Sequence, residues 1–130
     1  MTEDEIGKQL VDASVQLHQG MGPGLLESVY EVVLTHELRS RGIKVERQVA
    51  IPIAYQGFKF DEGYRADLLL DDKVIVELKC VERLNNAHKK QLLTYLRLSG
   101  NRLGYLLNFS EALMKNGITR IVNQLEETRV

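Results

Sequence analysis

Apolar positions along this chain change period more than once, and each change marks a new element. Between residues 4 and 19, Ile6, Leu10, Val11, Ala13, Val15 and Leu17 recur mostly at helical spacing. Thr2 or Asp4 is placed to cap that helix, with acids in its first turn. Gly20-Met21-Gly22-Pro23-Gly24 ends it. A second helix is predicted over residues 25–41, with Leu26, Val29, Tyr30, Val33, Leu34 and Leu38 as its buried stripe. Arg39 and Arg41 fall in its last turn, and Gly42 suits a C-cap.

From residue 43 the period shortens towards two. Val45, Val49, Ile51 and Ile53 alternate loosely up to Tyr55, and Gln56-Gly57 is a turn signal. Pro52 marks this strand as an edge or the carrier of a bulge. A second strand is predicted over 58–70, past Gly63, and a third over 73–80, so the three form an antiparallel meander. Helical spacing returns over 87–98, with Asn85-Asn86 as N-cap and Ser99-Gly100-Asn101 as the stop. Residues 103–109 read as a buried strand. The tail, with Leu113, Met114, Ile118, Ile121, Val122 and Leu125, fits neither period. The predicted order is α-α-β-β-β-α-β plus a tail, an α/β chain with a mixed sheet and helices packed on it.

Composition narrows the class. A chain of 130 residues, 44% hydrophobic and 27% charged, describes one globular domain over residues 1–130 with a single core. No apolar run approaches the ~20 residues of a membrane span. The acidic start MTEDEIGKQL does not read as a signal peptide. Cys80, the single cysteine, excludes an intramolecular disulfide and a cysteine-rich zinc site. A cytoplasmic protein is expected. His18, His36 and His88 lack ligand-like spacing and are assigned to no metal. The net charge of −1 hides an asymmetry: residues 1–31 carry six acids against Lys8, while residues 79–102 carry six bases against Glu82. The basic stretch could hold phosphates or be a solvated helix face.

Candidate chemistry gathers in residues 64–80, YRADLLLDDKVIVELKC. An acidic turn, Asp71-Asp72, joins two apolar arms that nevertheless carry Asp67, Glu77 and Lys79. Glu77 and Lys79 are two apart and share a strand face. If the turn takes residues 71–73, Asp67 falls opposite Glu77, with Cβ atoms roughly 4.5–5.5 Å apart. Carboxylates that close repel unless a cation lies between them. A two-residue turn would need a bulge to restore the shared face. The bland alternative pairs Glu77 with Lys79, and Asp67 with Arg65, as ion pairs on half-exposed strands.

These residues carry a resemblance. Asp67…Glu77-Leu78-Lys79 resembles the D…(D/E)xK signature of the PD-(D/E)xK nuclease superfamily, with Ala66 where the nominal pattern has Pro. That superfamily's core order of helix, three-stranded meander, helix and strand matches the order derived above. Gly24, Glu27 and Tyr30 fit the GxxExxY pattern of a small bacterial and archaeal family within it. Gln91 and Tyr95 resemble the QxxxY helix motif of RecB-type exonucleases, which also place an early helical Glu at the metal site. The likeness extends over residues 5–110. It implies a restriction-endonuclease-like fold and hydrolysis of phosphodiester bonds in DNA or RNA with Mg²⁺ or Mn²⁺.

On that resemblance Asp67 and Glu77 are hard oxygen ligands, the Leu78 carbonyl is a third, and Glu27 binds the ion directly or through water. Lys79 orients or helps deprotonate the attacking water, or stabilises the oxyanion. Gln91 hydrogen-bonds a phosphate or a ligand water, and Tyr95 contacts the phosphate or braces Lys79. Arg65, Lys89 and Lys90 grip backbone phosphates. Plainer readings stand beside these. Glu27 fits the N3 acid of a helix capped near Gly24, where glycine serves the turn. Tyr30 and Tyr95 fit core residues with hydrogen-bonded hydroxyls. Cys80, facing away from Glu77 and Lys79, fits a buried apolar residue. No zinc finger, helix-turn-helix or aromatic platform is visible, so sequence specificity is not expected from this chain alone. Nucleic acid, DNA foremost, is the expected partner; a homodimer or a partner protein supplying specificity also fits a domain this small. Two rival functions stay open: a non-catalytic interaction module on a nuclease fold, and hydrolysis of a small nucleotide or another phosphate ester.

Overall fold

The computed structural model describes residues 1–125. Helix α1 (Glu3–Met21) opens with a capping box: Thr2 Oγ1 accepts the Glu5 N–H at 3.2 Å and the Glu5 carboxylate accepts the Thr2 N–H at 3.3 Å. Helix α2 (Glu27–Ser40) starts two residues later than its apolar stripe predicts. Gly24, at φ 99, and the extended Leu26 hold the preceding loop out of helical geometry. Beyond α2, the Arg41 guanidinium clasps Asp12 at 2.7 Å and Glu37 at 3.0 Å, tying the end of α2 to α1.

Five strands follow: β1 (Val45–Ala50), β2 (Ile53–Tyr55), β3 (Phe58–Phe60), β4 (Arg65–Leu70) and β5 (Val74–Lys79). The strands expected over 43–55 and 58–70 are therefore each broken in two. Pro52 has no N–H to give a ladder, and Gly63 turns the chain at φ 96. The outer pieces, β2 and β3, form a separate hairpin, while β1 and β4 join β5 in the predicted meander. Helix α3 (Asn86–Ser99), capped by the Asn85 side chain, leads to β6 (Leu103–Asn108), which runs parallel to β5. The tail makes a 3₁₀ turn (Met114–Gly117) and then β7 (Ile118–Val122), antiparallel to β6 at the sheet edge. The order β1-β4-β5-β6-β7 contains the mixed, restriction-endonuclease-like sheet expected from the sequence, a meander with one further strand, and the tail adds β7 at its edge.

Two cores flank the sheet. On one face Ile6, Leu10, Leu34 and Leu38 from α1 and α2 pack with Leu68, Leu70, Val76 and Leu78. On the other, Leu92 and Leu96 of α3 pack with Ala66, Ile75 and Leu106. Strand β6 is buried at every position, so its run LGYLLN shows no alternation. Among the described residues no helix is long and apolar enough to cross a membrane.

Where β5 ends, a buried side chain takes over its support. Asn108 Oδ1 accepts the Val81 N–H at 3.2 Å and Asn108 Nδ2 donates to the Val81 carbonyl at 2.8 Å. Gly117 lies so close that a Cβ there would overlap the Asn108 carbonyl oxygen. Gly117→Ala is expected to destabilise the protein by about 1–3 kcal/mol. A urea titration checks this: the midpoint falls at unchanged slope, and an unmoved midpoint would mean the 3₁₀ turn yields instead.

Candidate active site

The hairpin joining β4 and β5 sets the geometry. Asp71 and Asp72 take left-handed φ values of 49 and 57, a region in which Asp is enriched. The Lys73 N–H closes the turn onto the Leu70 carbonyl at 2.9 Å. Leu70 then faces Val74, Leu69 faces Ile75 and Leu68 faces Val76, the register of a turn over residues 71–73. Asp67 and Glu77 come next, but the ladder stops before them. Strand β1 follows β4 to Arg65 and β6 follows β5 to Lys79, so β4 and β5 part at this end alone. Asp67 fills the opening: its Oδ2 accepts the Leu78 N–H at 2.8 Å. The N–H and C=O of one strand residue point the same way, so the Leu78 carbonyl faces the opening too.

Glu77 and Lys79 project to the α3 side, where they line a small cavity of about 30 Å³ with Tyr64, His88 and Gln91. Tyr64 donates its hydroxyl to Glu77 Oε1 at 2.7 Å. Its ring stacks on Tyr95 with centroids 3.8 Å apart, and the Tyr95 hydroxyl donates to the Gly63 carbonyl at 3.3 Å. Tyr95 thus braces Tyr64. Burial first, and then the Asp67 charge, push the Glu77 carboxyl up to about 7, against the downward pull of the Tyr64 hydroxyl and Lys79.

Helix α2 supplies carboxylates from the other side. Glu27, its first residue, is exposed, yet partial desolvation and then the Asp67 charge raise its carboxyl; Lys79 and the Cys80 backbone pull it down. One turn on, Glu31 is only 7% exposed. Its Oε2 accepts from Arg47 Nη2 at 2.9 Å and Nε at 3.2 Å, and its Oε1 accepts from Gln48 Nε2 at 2.6 Å. The same Gln48 nitrogen donates to Asp67 Oδ1 at 3.2 Å.

The expected residues are therefore gathered unequally. Asp67, Glu77, Leu78, Lys79 and Gln91 meet at one end of the sheet, and Glu27 approaches Asp67 from α2. Arg65 is exposed and donates to the Gln48 carbonyl at 2.5 Å. Lys89 and Lys90 are exposed on α3. Gln91 shares the helix face of His88, whereas Lys90 lies roughly 200° around the helix from it. Cys80 is half-buried. Tyr30 is the core residue expected, fully buried, its hydroxyl donating to the Gly22 carbonyl at 2.5 Å. Sequence reasoning missed Glu31, Arg47, Gln48, Tyr64 and His88. Glu31 had a signal, its spacing of four from Glu27 on one helix face.

Whether these residues suit a divalent cation is a question of donors. Among the described residues no three of His, Cys, Asp and Glu converge as a ready cluster. Mg²⁺ needs less: one or two carboxylates, with several waters kept. Asp67, Glu77 and the Leu78 carbonyl offer that set of hard oxygens. The elevated Glu77 carboxyl marks a negative charge that a cation would relieve. The donor set fits, with Glu27 as an outer carboxylate beside it.

No curated protein matches the chain. Among solved structures it is similar to an alkaline exonuclease from Laribacter hongkongensis, at 17% identity and TM-score 0.44, covering 95% of this chain and 83% of that one. The family model described as the PD-(D/E)XK nuclease superfamily matches residues 4–121, from α1 through the parted strands into β7. With every element of the site inside that span, this chain belongs to the PD-(D/E)XK nuclease superfamily.

Proposed function

We propose that this protein is a divalent-metal-dependent nuclease that hydrolyses phosphodiester bonds in DNA or RNA, and that within its superfamily it falls in the GxxExxY group. One observation carries the reading: Asp67 and Glu77 are held together at a parted sheet end, where Glu77 is raised to about 7 beside Lys79. A half-buried, mutually repelling acid pair has little structural merit, and a bound cation removes the repulsion.

Asp67, Glu77 and the Leu78 carbonyl would hold Mg²⁺ or Mn²⁺. When bound, the ion would acidify water and offset charge building on the phosphoryl oxygens. Lys79 orients the attacking water or takes part in its deprotonation, and Gln91 holds a phosphate oxygen at the cavity mouth. Tyr64 keeps Glu77 in one rotamer through its hydroxyl, and Tyr95 keeps Tyr64 in place. The GxxExxY residues suit this picture. Gly24 makes the turn, Glu27 stands beside Asp67, and the Tyr30 hydroxyl ties down the loop by also accepting the Leu25 N–H at 3.2 Å.

A second reading has its own support. Leu26, just before α2, and Val29 and Val32 on it are exposed next to Glu27, although the sequence pattern put Leu26 and Val29 in the buried stripe, and they form an apolar patch that suits an interaction module. Calorimetric titration with Mg²⁺ and Mn²⁺ separates the two, run beside an Asp67→Ala/Glu77→Ala variant shown to be folded by circular dichroism. The expected result is binding to wild type that the variant loses. Cleavage of end-labelled single-stranded DNA, duplex DNA or RNA, also lost in the variant, then names the substrate. Equal binding by both proteins would sink the catalytic reading and favour the interaction module.

A further inference from the structure

Gln48 stands at φ 52 in the middle of β1, a backbone region that a long unbranched side chain rarely occupies inside a strand. The consequence is visible in the packing. Val45 and Val49 are four apart, and an unbroken strand would turn both to one face. Instead Val45 packs into the core under α1 and α2, and Val49 packs into the core under α3. The partner strand reverses at the same level: Leu68 and Leu70 enter the first core, Ala66 the second. The position between the two reversals is Gln48 opposite Asp67, since Arg47 pairs with Leu68 and Val49 with Ala66.

We propose that Gln48 is a positioning residue of the metal site, whose left-handed backbone carries its amide between Glu31 and Asp67 and fixes the Asp67 carboxylate. The proposal rests on the metal-site reading of Asp67 and Glu77. Gln48 Nε2 has two hydrogens, one for Glu31 Oε1 at 2.6 Å and one for Asp67 Oδ1 at 3.2 Å. Leu78 N–H holds the other Asp67 oxygen, so the carboxylate plane is set from both sides. Each oxygen keeps a second lone pair for an ion.

The residue type matters. A lysine or arginine here would bring its own charge to Asp67 and compete with a cation, and a glutamate would add a third repelling carboxylate. A neutral amide links two carboxylates without either fault. Glu31 in turn is held by the Arg47 fork, so its charge is already met. The Arg65 guanidinium steadies the kink by donating to the Gln48 carbonyl at 2.5 Å.

The test compares Gln48→Ala with Gln48→Gly. Both remove the amide, but only glycine is at ease at positive φ. Two readouts are taken: Mg²⁺ affinity by calorimetry, and the urea midpoint of the metal-free protein. We expect both variants to lose affinity by about 10–100-fold, the usual cost of removing an outer-shell partner. The glycine variant should unfold at higher urea than the alanine variant. Stability then separates the two while affinity does not. Wild-type affinity in either variant overturns the proposal and leaves the metal site standing. So does affinity that follows the urea midpoint, recovering in the glycine variant, since that is the mark of a merely structural role. If wild type itself binds no Mg²⁺, the metal-site reading has failed and this inference falls with it.

Discussion

Lys79→Met is expected to lower metal-supported cleavage by about 10³-fold, in the range for loss of a positioned acid–base or oxyanion-stabilising group, while Mg²⁺ still binds. Lys79 sits two residues after Glu77 and shares its cavity with Glu77 and Gln91. Its backbone carbonyl accepts the Phe109 N–H at 3.0 Å, so the strand position is fixed independently of the side chain. Among the described residues the ammonium makes none of the ion pairs, which leaves it available to a reacting group. Methionine keeps the apolar stem and removes the charge. If the lysine acts on the attacking water or on the developing charge, the loss falls on kcat. If it merely balances Glu77, the variant instead binds Mg²⁺ more tightly and keeps its rate, because the ion faces one less positive neighbour. Single-turnover cleavage at saturating Mg²⁺ tells these apart, and a rate within threefold of wild type would remove Lys79 from the chemistry.

The parts of this site that were legible in the sequence are those fixed by local spacing. Glu77 and Lys79 share a face because strands alternate, and the acidic pair Asp71-Asp72 marked the turn; of the two turn lengths left open, the three-residue one forms, so Leu68 meets Val76. Capping residues Thr2 and Asn85 marked two helix starts for the same reason, since a cap acts within one turn. What could not be read is whatever depends on a strand departing from its own period. Gln is not a residue that announces positive φ, so the reversal at Gln48 left no trace in the pattern. Asp67 was expected to stand opposite Glu77 on a continuous ladder; instead the strands part there and Asp67 serves as the partner of Leu78. Tyr64 reaches Glu77 only because the chain turns at Gly63 and leads Tyr64 back to the β1 side, where its carbonyl accepts the Ile51 N–H at 3.0 Å. The tail was unreadable for a different reason. β7 is an edge strand with no fully buried position, so neither period leaves a clean mark on it. The site therefore lies where the two cores exchange strand faces, and regular patterning fails there for the same structural reason that the carboxylates converge.

Glu77→Gln is expected to give a metal-free protein that is more stable than wild type at pH 8, on the order of 3 kcal/mol at most. Glu77 in the folded protein titrates near 7, against 4.5 for the ordinary glutamate of the unfolded chain. Between those values the folded state holds a proton that the unfolded state has released. Stability is therefore complete below about pH 4.5, declines as pH rises through 7, and levels off above. The cause is burial, reinforced by Asp67, and glutamine removes the charge while keeping an oxygen for the Tyr64 hydroxyl. Urea unfolding in chelator at pH 5.5 and pH 8 should show wild type losing stability between them, with the Gln variant losing far less. Parallel curves would mean that Glu77 is not the strained acid. Adding Mg²⁺ at pH 8 provides the complementary arm. A ligand at a hundred times its Kd stabilises by about 2.7 kcal/mol, which should restore wild type and leave Glu77→Gln unmoved. Because proton and cation compete for one carboxylate, wild-type Mg²⁺ affinity should also climb as pH rises through about 7. On the proposed metal-site reading, the acid pair that weakens the metal-free protein is the same feature that would hold the ion.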